Sequence, residues 1–165
     1  MSWAESARLF LGGFKLRDRG FEIVTEYKDK EIHLPQRKTR TSAGYDIESA
    51  IDIELLPHQV TIVPTGLKAY MKDREYLGVH VRSGFSIKKQ VSLINSQGII
   101  DADYYNNEDN EGHIMIAFYN HSDHSIAIRK GERIAQGIFA SYLIVDADVP
   151  TADIRKGGMG STGVR

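Results

Sequence analysis

From position 21 onward, apolar and β-branched residues recur in short blocks separated by turn formers, and no long stretch carries the period of an amphipathic helix. That pattern predicts an all-β fold. The blocks that read as strands are residues 21–27, 60–71 with a break near Pro64 and Gly66, 76–81, 91–95, 113–119 and 134–145. Within 76–81, alternation sets Leu77, Val79 and Val81 on one face against Tyr76, Gly78 and His80 on the other. Only residues 83–89 suggest a short helical turn. Short strands at this spacing fit a jelly-roll-like sandwich or barrel, because a parallel sheet would need crossover helices.

A length of 165 residues is one domain's worth. Three zones follow from the pattern: a segment of unclear role at 1–20, a β domain at 21–150 and a glycine-rich arm at 151–165. The first zone mixes Trp3, Leu9, Phe10, Leu11 and Phe14 with Lys15, Arg17 and Arg19, but no small-residue cleavage signal follows a clean apolar block. It suits a short amphipathic helix or an ill-ordered leader equally well. The arm contains GGMGSTG, whose glycines make it mobile unless something orders it.

The 21 basic residues nearly cancel the 22 acidic ones, so the chain lacks the cationic excess of a polynucleotide-binding domain, and any anionic ligand must be met locally. There is no cysteine, which excludes disulfides, thiolate nucleophiles and cysteine zinc sites and fits a cytoplasmic protein. The longest apolar run, 134–145, is interrupted by Gln136, Gly137, Ser141 and Tyr142 and is too short to span a bilayer. A buried strand accounts for it without a membrane.

Candidate chemistry is concentrated in four places. The stretch NSQGIIDADY at 95–104 puts an acid pair on a tight turn after an apolar strand. Val91, Leu93, Ile99 and Ile100 can anchor it as a hairpin, with Asp101 and Asp103 facing different surroundings. An acid fixed on a rigid turn can serve as a general base, or merely satisfy turn amides. Arg82-Ser83-Gly84, at a strand exit, combines an arginine fork, a hydroxyl and glycine-turn amides, the groups that bind phosphate oxygens. The same three residues also suit a solvated turn.

In GERIAQ at 131–136, alternation places Arg133 and Ala135 opposite Ile134 and Gln136, whose amide can donate to a phosphate; an ordinary hairpin turn is the plainer reading. The glycine-rich arm lacks the lysine and strand-to-helix context of a P-loop, although Ser161, Thr162 and neighbouring amides could wrap a triphosphate with Arg155 and Lys156 nearby. His121 and His124 share a polar turn that could hold a metal but suits a solvated loop better. Nothing orders a Ser, His and Asp for acyl transfer.

Taken in order, AGYDI at 43–47, RSG at 82–84, NSQGIIDADYY at 95–105, GERIAQ at 131–136 and GGMGSTG at 157–163 resemble the five motifs of the trimeric dUTP pyrophosphatase (dUTPase) family. The resemblance spans about residues 21–163 and implies a jelly-roll homotrimer that splits dUTP into dUMP and pyrophosphate, keeping uracil out of DNA. Asp101 resembles the acid that activates water for attack on the α-phosphorus. Tyr104 resembles the sugar discriminator beneath deoxyribose, where a 2′-hydroxyl would clash. Asn95 and the backbone from Gly98 to Ile100 resemble the uracil-reading edge, with Gly98 allowing the base to approach. Arg82, Ser83, Gly84 and Gln136 resemble the phosphate contacts, and Asp46 an indirect support for the metal shell or an adjacent arginine. Mg²⁺ is the implied cofactor, held mainly by phosphates and water, with no direct protein ligand. Three sites at subunit boundaries are implied, each closed by a tail carrying Arg155, Met159, Gly160, Ser161 and Thr162.

Three departures from the family pattern stand out. Only Lys156 separates Arg155 from the glycine pair, so either basic residue can reach the γ-phosphate, and YYNNEDNEGH lengthens the loop after Tyr104, with Glu108, Asp109 and Glu111 expected to be solvated. Three other functions are weighed against it: a nucleotide-gated regulator acting on a protein partner, a dCTP deaminase-like enzyme, whose different acid and motif set is not found here, and a structural jelly-roll trimer, which leaves the ordered polar motifs without a reason. Met159 stands where the family carries an aromatic residue over the base, offering dispersion contact without a ring face. Met159→Phe is therefore expected to lower the KM for dUTP; an unchanged or raised value removes Met159 from that role.

Overall fold

The computed structural model describes residues 17–150, in which eleven strands and one short α-helix are joined by loops and two single-turn 3₁₀ segments. The strands are β1 (Gly20–Ile23), β2 (Tyr45–Glu48), β3 (Ile53–Leu55), β4 (Val60–Pro64), β5 (Leu67–Tyr70), β6 (Glu75–Val81), β7 (Val91–Leu93), β8 (Gly98–Asp101), β9 (Met115–Asn120), β10 (Ile126–Ile128) and β11 (Arg133–Ser141). Helix α1 (Ser83–Lys89) lies between β6 and β7, and the 3₁₀ turns are Thr25–Tyr27 and Ala102–Tyr104. Every strand pairing is antiparallel. The sheets run β2-β11-β6-β8 and β4-β9-β7, with pairs β1-β5 and β10-β3. This is the jelly-roll-like β architecture that the hydrophobic pattern predicts. Among the described residues, no helix is long and apolar enough to cross a membrane.

Alternation explains how one core forms between the larger sheets. Ile47, Leu77, Val79 and Ile134 from the four-stranded sheet join Val63, Leu93, Ile116 and Phe118 from the three-stranded sheet in a single buried cluster. Each such side chain contributes about 1.5–3 kcal/mol on leaving water. In β9 the inward positions are Ile116, Phe118 and Asn120. The asparagine is tolerated there because its amide donates to Leu55 O at 3.0 Å and His124 O at 2.9 Å, while its Oδ1 accepts from the Ser122 amide and hydroxyl. The polar turn around His121 and His124 is thus a backbone fastening. His121 itself meets the Ser92 hydroxyl, and among the described residues no three metal-ligating side chains converge.

Several elements differ from their expected form. The first strand stops at Ile23, because the chain turns into the 3₁₀ segment that buries Tyr27. The last ends at Ser141, and the apolar residues beyond it face outward, Leu143 being 98% exposed. Residues 91–100 do not form a hairpin: β7 pairs with β9 and β8 with β6, so the turn at 94–97 carries the chain from one sheet to the other. In β11 a bulge between Arg133 and Ala135 breaks the expected alternation, and the successive residues Ile134 and Ala135 are both fully buried. The leader before residue 17 and the arm from residue 151 lie outside the described residues, as do Arg155, Met159, Gly160, Ser161 and Thr162.

The long loop after Tyr104 is fastened to the body through Glu111, contrary to its expected solvation. Glu111 accepts from the Thr25 amide at 2.7 Å, the Thr25 hydroxyl at 2.9 Å and Nζ of the buried Lys68 at 3.0 Å. Lys68 also donates to Asn106 Oδ1 at 2.6 Å. The Lys68 ammonium foremost, then the Thr25 amide, pull the Glu111 carboxyl from its ordinary 4.5 down to about 2. A depressed carboxyl contributes stability that is present above its unfolded value and is lost as pH falls toward the folded one. With the side chain 38% exposed, solvent screening limits the contribution to about 1 kcal/mol. Glu111→Gln is expected to lower the Tm at pH 7 by about 2–4 °C and to flatten the decline of stability between pH 4.5 and about 2. A variant whose acid decline parallels the wild type's would refute this coupling.

Candidate active site

A polar row crosses the outer face of the four-stranded sheet. Gln136 on β11 pairs with Asp46 on β2 and with His80 on β6, and residues paired in this way share a face. Gln97, leading into β8, continues the row with its amide nitrogen 3.1 Å from His80 Nε2. At one end of the row Asp46 binds two arginines. Its Oδ1 lies 3.0 Å from Arg82 Nε and its Oδ2 lies 3.0 Å from Arg133 Nη1. Arg82 Nη1 also donates to the Arg133 carbonyl at 3.3 Å. The carboxylate therefore works as a brace that fixes two guanidinium groups in place, the arginine-supporting role among those expected of it. Arg133 emerges only here, because the bulge that carries it toward Asp46 has no signature in the alternation.

Ser83 and Gly84 open α1 directly after Arg82 and are both exposed. The first amides of a helix have no partner within it. A Cβ added to Gly84 would meet nothing within 4 Å, so packing within the chain does not require glycine there. Gly44 is the opposite case, since a Cβ there would collide with the Gln136 side chain. Arginine fork, serine hydroxyl, helix amides and glutamine amide thus converge on one end of the sheet, a set suited to phosphate oxygens.

Asp101 lies elsewhere. It ends β8, opposite Tyr76, and begins the 3₁₀ turn Ala102–Tyr104. Tyr76 pairs with Ala140, four residues along β11 from Gln136, which places Asp101 on the same face but about 13 Å along the strands and two strands away. Strand β8 is the last in its sheet, so Gly98, Ile99 and Ile100 pair with β6 on one side and offer backbone groups on the other. Asn95 is exposed in the preceding turn, where Ser96 adopts a positive φ of 61°. Gly98 has a packing reason of its own: a Cβ would sit 3.3 Å from Val79 Cβ.

Tyr104 is only 5% exposed. Its hydroxyl donates to the His113 carbonyl at 3.2 Å and accepts from Asn110 Nδ2 at 2.9 Å. His113 is buried in turn, which lowers its pKa, and its Nε2 accepts the Gly66 amide at 2.9 Å. Asp103 is exposed. A cavity of about 530 Å³ lies beside Glu31, His33, Glu48 and Lys130, and one of about 430 Å³ beside Leu93, Ile94 and Tyr119. Neither is lined by Asp101 or by the Arg82 cluster.

The dUTPase family model matches residues 30–163. The deoxyuridine 5'-triphosphate nucleotidohydrolase of Lactococcus lactis is 48% identical over 149 residues, spanning 90% of this chain and 99% of that protein. Its counterpart in Escherichia coli is 37% identical over 150 residues, spanning 86% and 95%. The crystal structure of dUTPase from Streptococcus mutans superposes with a TM-score of 0.74 at 44% identity, covering 78% of this chain and 99% of that one. Whatever ligand the site takes, the brace has a structural consequence. Asp46→Ala would leave Arg82 and Arg133 facing each other without a counterion, and is expected to lower the urea-unfolding free energy by about 1–2 kcal/mol; unchanged stability would show that the brace carries no weight.

Proposed function

The chain belongs to the dUTPase family and hydrolyses dUTP to dUMP and pyrophosphate, and we propose that Asp101 is the base of this reaction in a site shared between subunits of a homotrimer. The observation that carries the shared site is the separation just described. Phosphate-gripping residues and the acid occupy opposite ends of one sheet face, so one chain's Arg82 cluster meets the acid of another.

In this reading the triphosphate lies along Arg82, the Ser83 hydroxyl, the Gly84 amide and Gln136. Uracil runs along the open edge of β8 near Asn95, where backbone groups from Gly98 to Ile100 match its edge and oppose the amino group of cytosine. Deoxyribose rests on Tyr104. Asp101 accepts a proton from water as the oxygen attacks the α-phosphorus, and the bond to the bridging oxygen breaks to release pyrophosphate. Arg82 stabilises the charge that develops on the departing phosphates. Mg²⁺, which supplies charge neutralisation and orientation of the phosphates, would be held by phosphate oxygens and water, since Asp46 is occupied by two arginines. The arm carrying Arg155, Met159, Gly160, Ser161 and Thr162 closes over the bound nucleotide and excludes bulk water.

Asp101→Asn tests the assignment. It is expected to retain dUTP binding while pyrophosphate release falls by roughly 10²–10⁴-fold, the usual contribution of a positioned base. Full turnover in that variant would remove Asp101 from the chemistry.

A further inference from the structure

The loop that follows Tyr104 is built around that tyrosine. Asn107 is buried, and its Oδ1 accepts the amides of Asp109 at 3.0 Å and Asn110 at 3.1 Å. Its Nδ2 must therefore face the other way, and it donates to the Tyr104 carbonyl at 2.8 Å and to Asn110 Oδ1 at 2.9 Å. Asn110 Oδ1 also accepts the Gly112 amide at 3.1 Å, which turns Asn110 Nδ2 toward the Tyr104 hydroxyl. Neither amide can be reversed without placing donors against donors. Gly112, at φ +80°, closes the loop: a Cβ there would lie 2.5 Å from the Tyr104 carbonyl oxygen. Glu111 fastens the same loop to Lys68 and Thr25, outside the site.

From this arrangement we infer that Asn110 is the positioning residue that sets discrimination between deoxyribose and ribose nucleotides, acting through the Tyr104 hydroxyl. The inference rests on the placement of Tyr104 beneath the sugar in the proposed function. Exclusion of a 2′-hydroxyl by contact works only if the ring cannot recede, because a displacement of a fraction of an ångström would make room for it. Asn110 donates to the hydroxyl from one side and the His113 carbonyl accepts its hydrogen bond on the other, so the ring is fixed along its long axis. Such rigidity matters little to a substrate that lacks the group to be refused.

The test compares kcat/KM for dUTP and UTP, with Mg²⁺, in the wild type, Asn110→Ala, Tyr104→Phe, the double variant and Glu108→Ala as an exposed control in the same loop. Asn110→Ala is expected to lower the dUTP-to-UTP ratio by about 10-fold, the scale of one lost hydrogen bond, with kcat for dUTP changed less than about 3-fold. In the Tyr104→Phe background it should change the ratio no further, because the hydroxyl through which it acts is gone. Glu108→Ala should match the wild type. A purely structural role would lower Tm and leave the ratio intact, and that result overturns the inference. If the alanine variant does not fold, Asn110→Asp carries the test: it keeps the shape and the Gly112 acceptor but withdraws the donor, and an undiminished ratio again overturns it. A wild type that releases pyrophosphate equally from dUTP and UTP would instead remove the role of Tyr104, and the inference with it.

Discussion

The pairing of β11 with neighbours on both sides is the constraint on which the rest of the structure depends. Residues 135–137 are paired on both sides, with β2 and with β6, and the bulge at the strand's start decides which of its residues meet the core. Ile134 and Ala135 both turn inward, Arg133 reaches Asp46, and Gln136 lands between Asp46 and His80. A strand's faces alternate with a period of two, so a slip of one residue would exchange buried and exposed sets. The apolar core therefore enforces the polar row: Gln136 cannot leave its place without dragging Ile134 into water.

Strand-level patterning was readable wherever alternation was strong. Leu77 and Val79 are buried as their spacing implies, the chain breaks between β4 and β5 at Pro64 and Gly66, and residues 83–89 form a helix. Strands β2, β3 and β10 fall outside the blocks that the pattern marks, since three or four residues with polar neighbours display no period. Pairing was less legible still. Apolar residues at 91–93 and 99–100 look alike in sequence, and only the competing partners β9 and β6 send them to different sheets.

The site was legible through motifs rather than through local physics. Arg82 does reach Asp46 with Gln136 paired beside it, but the second arginine on that carboxylate depends on a bulge that no composition rule announces. Glycines illustrate the same limit. Gly84 faces open space, Gly98 packs on Val79 and Gly44 makes way for Gln136, and these three reasons for one residue type are indistinguishable along the chain. Glu111 was misread because its partners, Thr25 and Lys68, are distant in sequence.

The distance between Asp101 and the Arg82 cluster has a genetic consequence. If each working site borrows its acid from one chain and its arginine fork from the next, a cell carrying two differently damaged copies of the gene can assemble mixed trimers in which some boundaries are whole. One copy lacking the acid and another lacking the fork would rescue each other, whereas either alone would build no competent boundary.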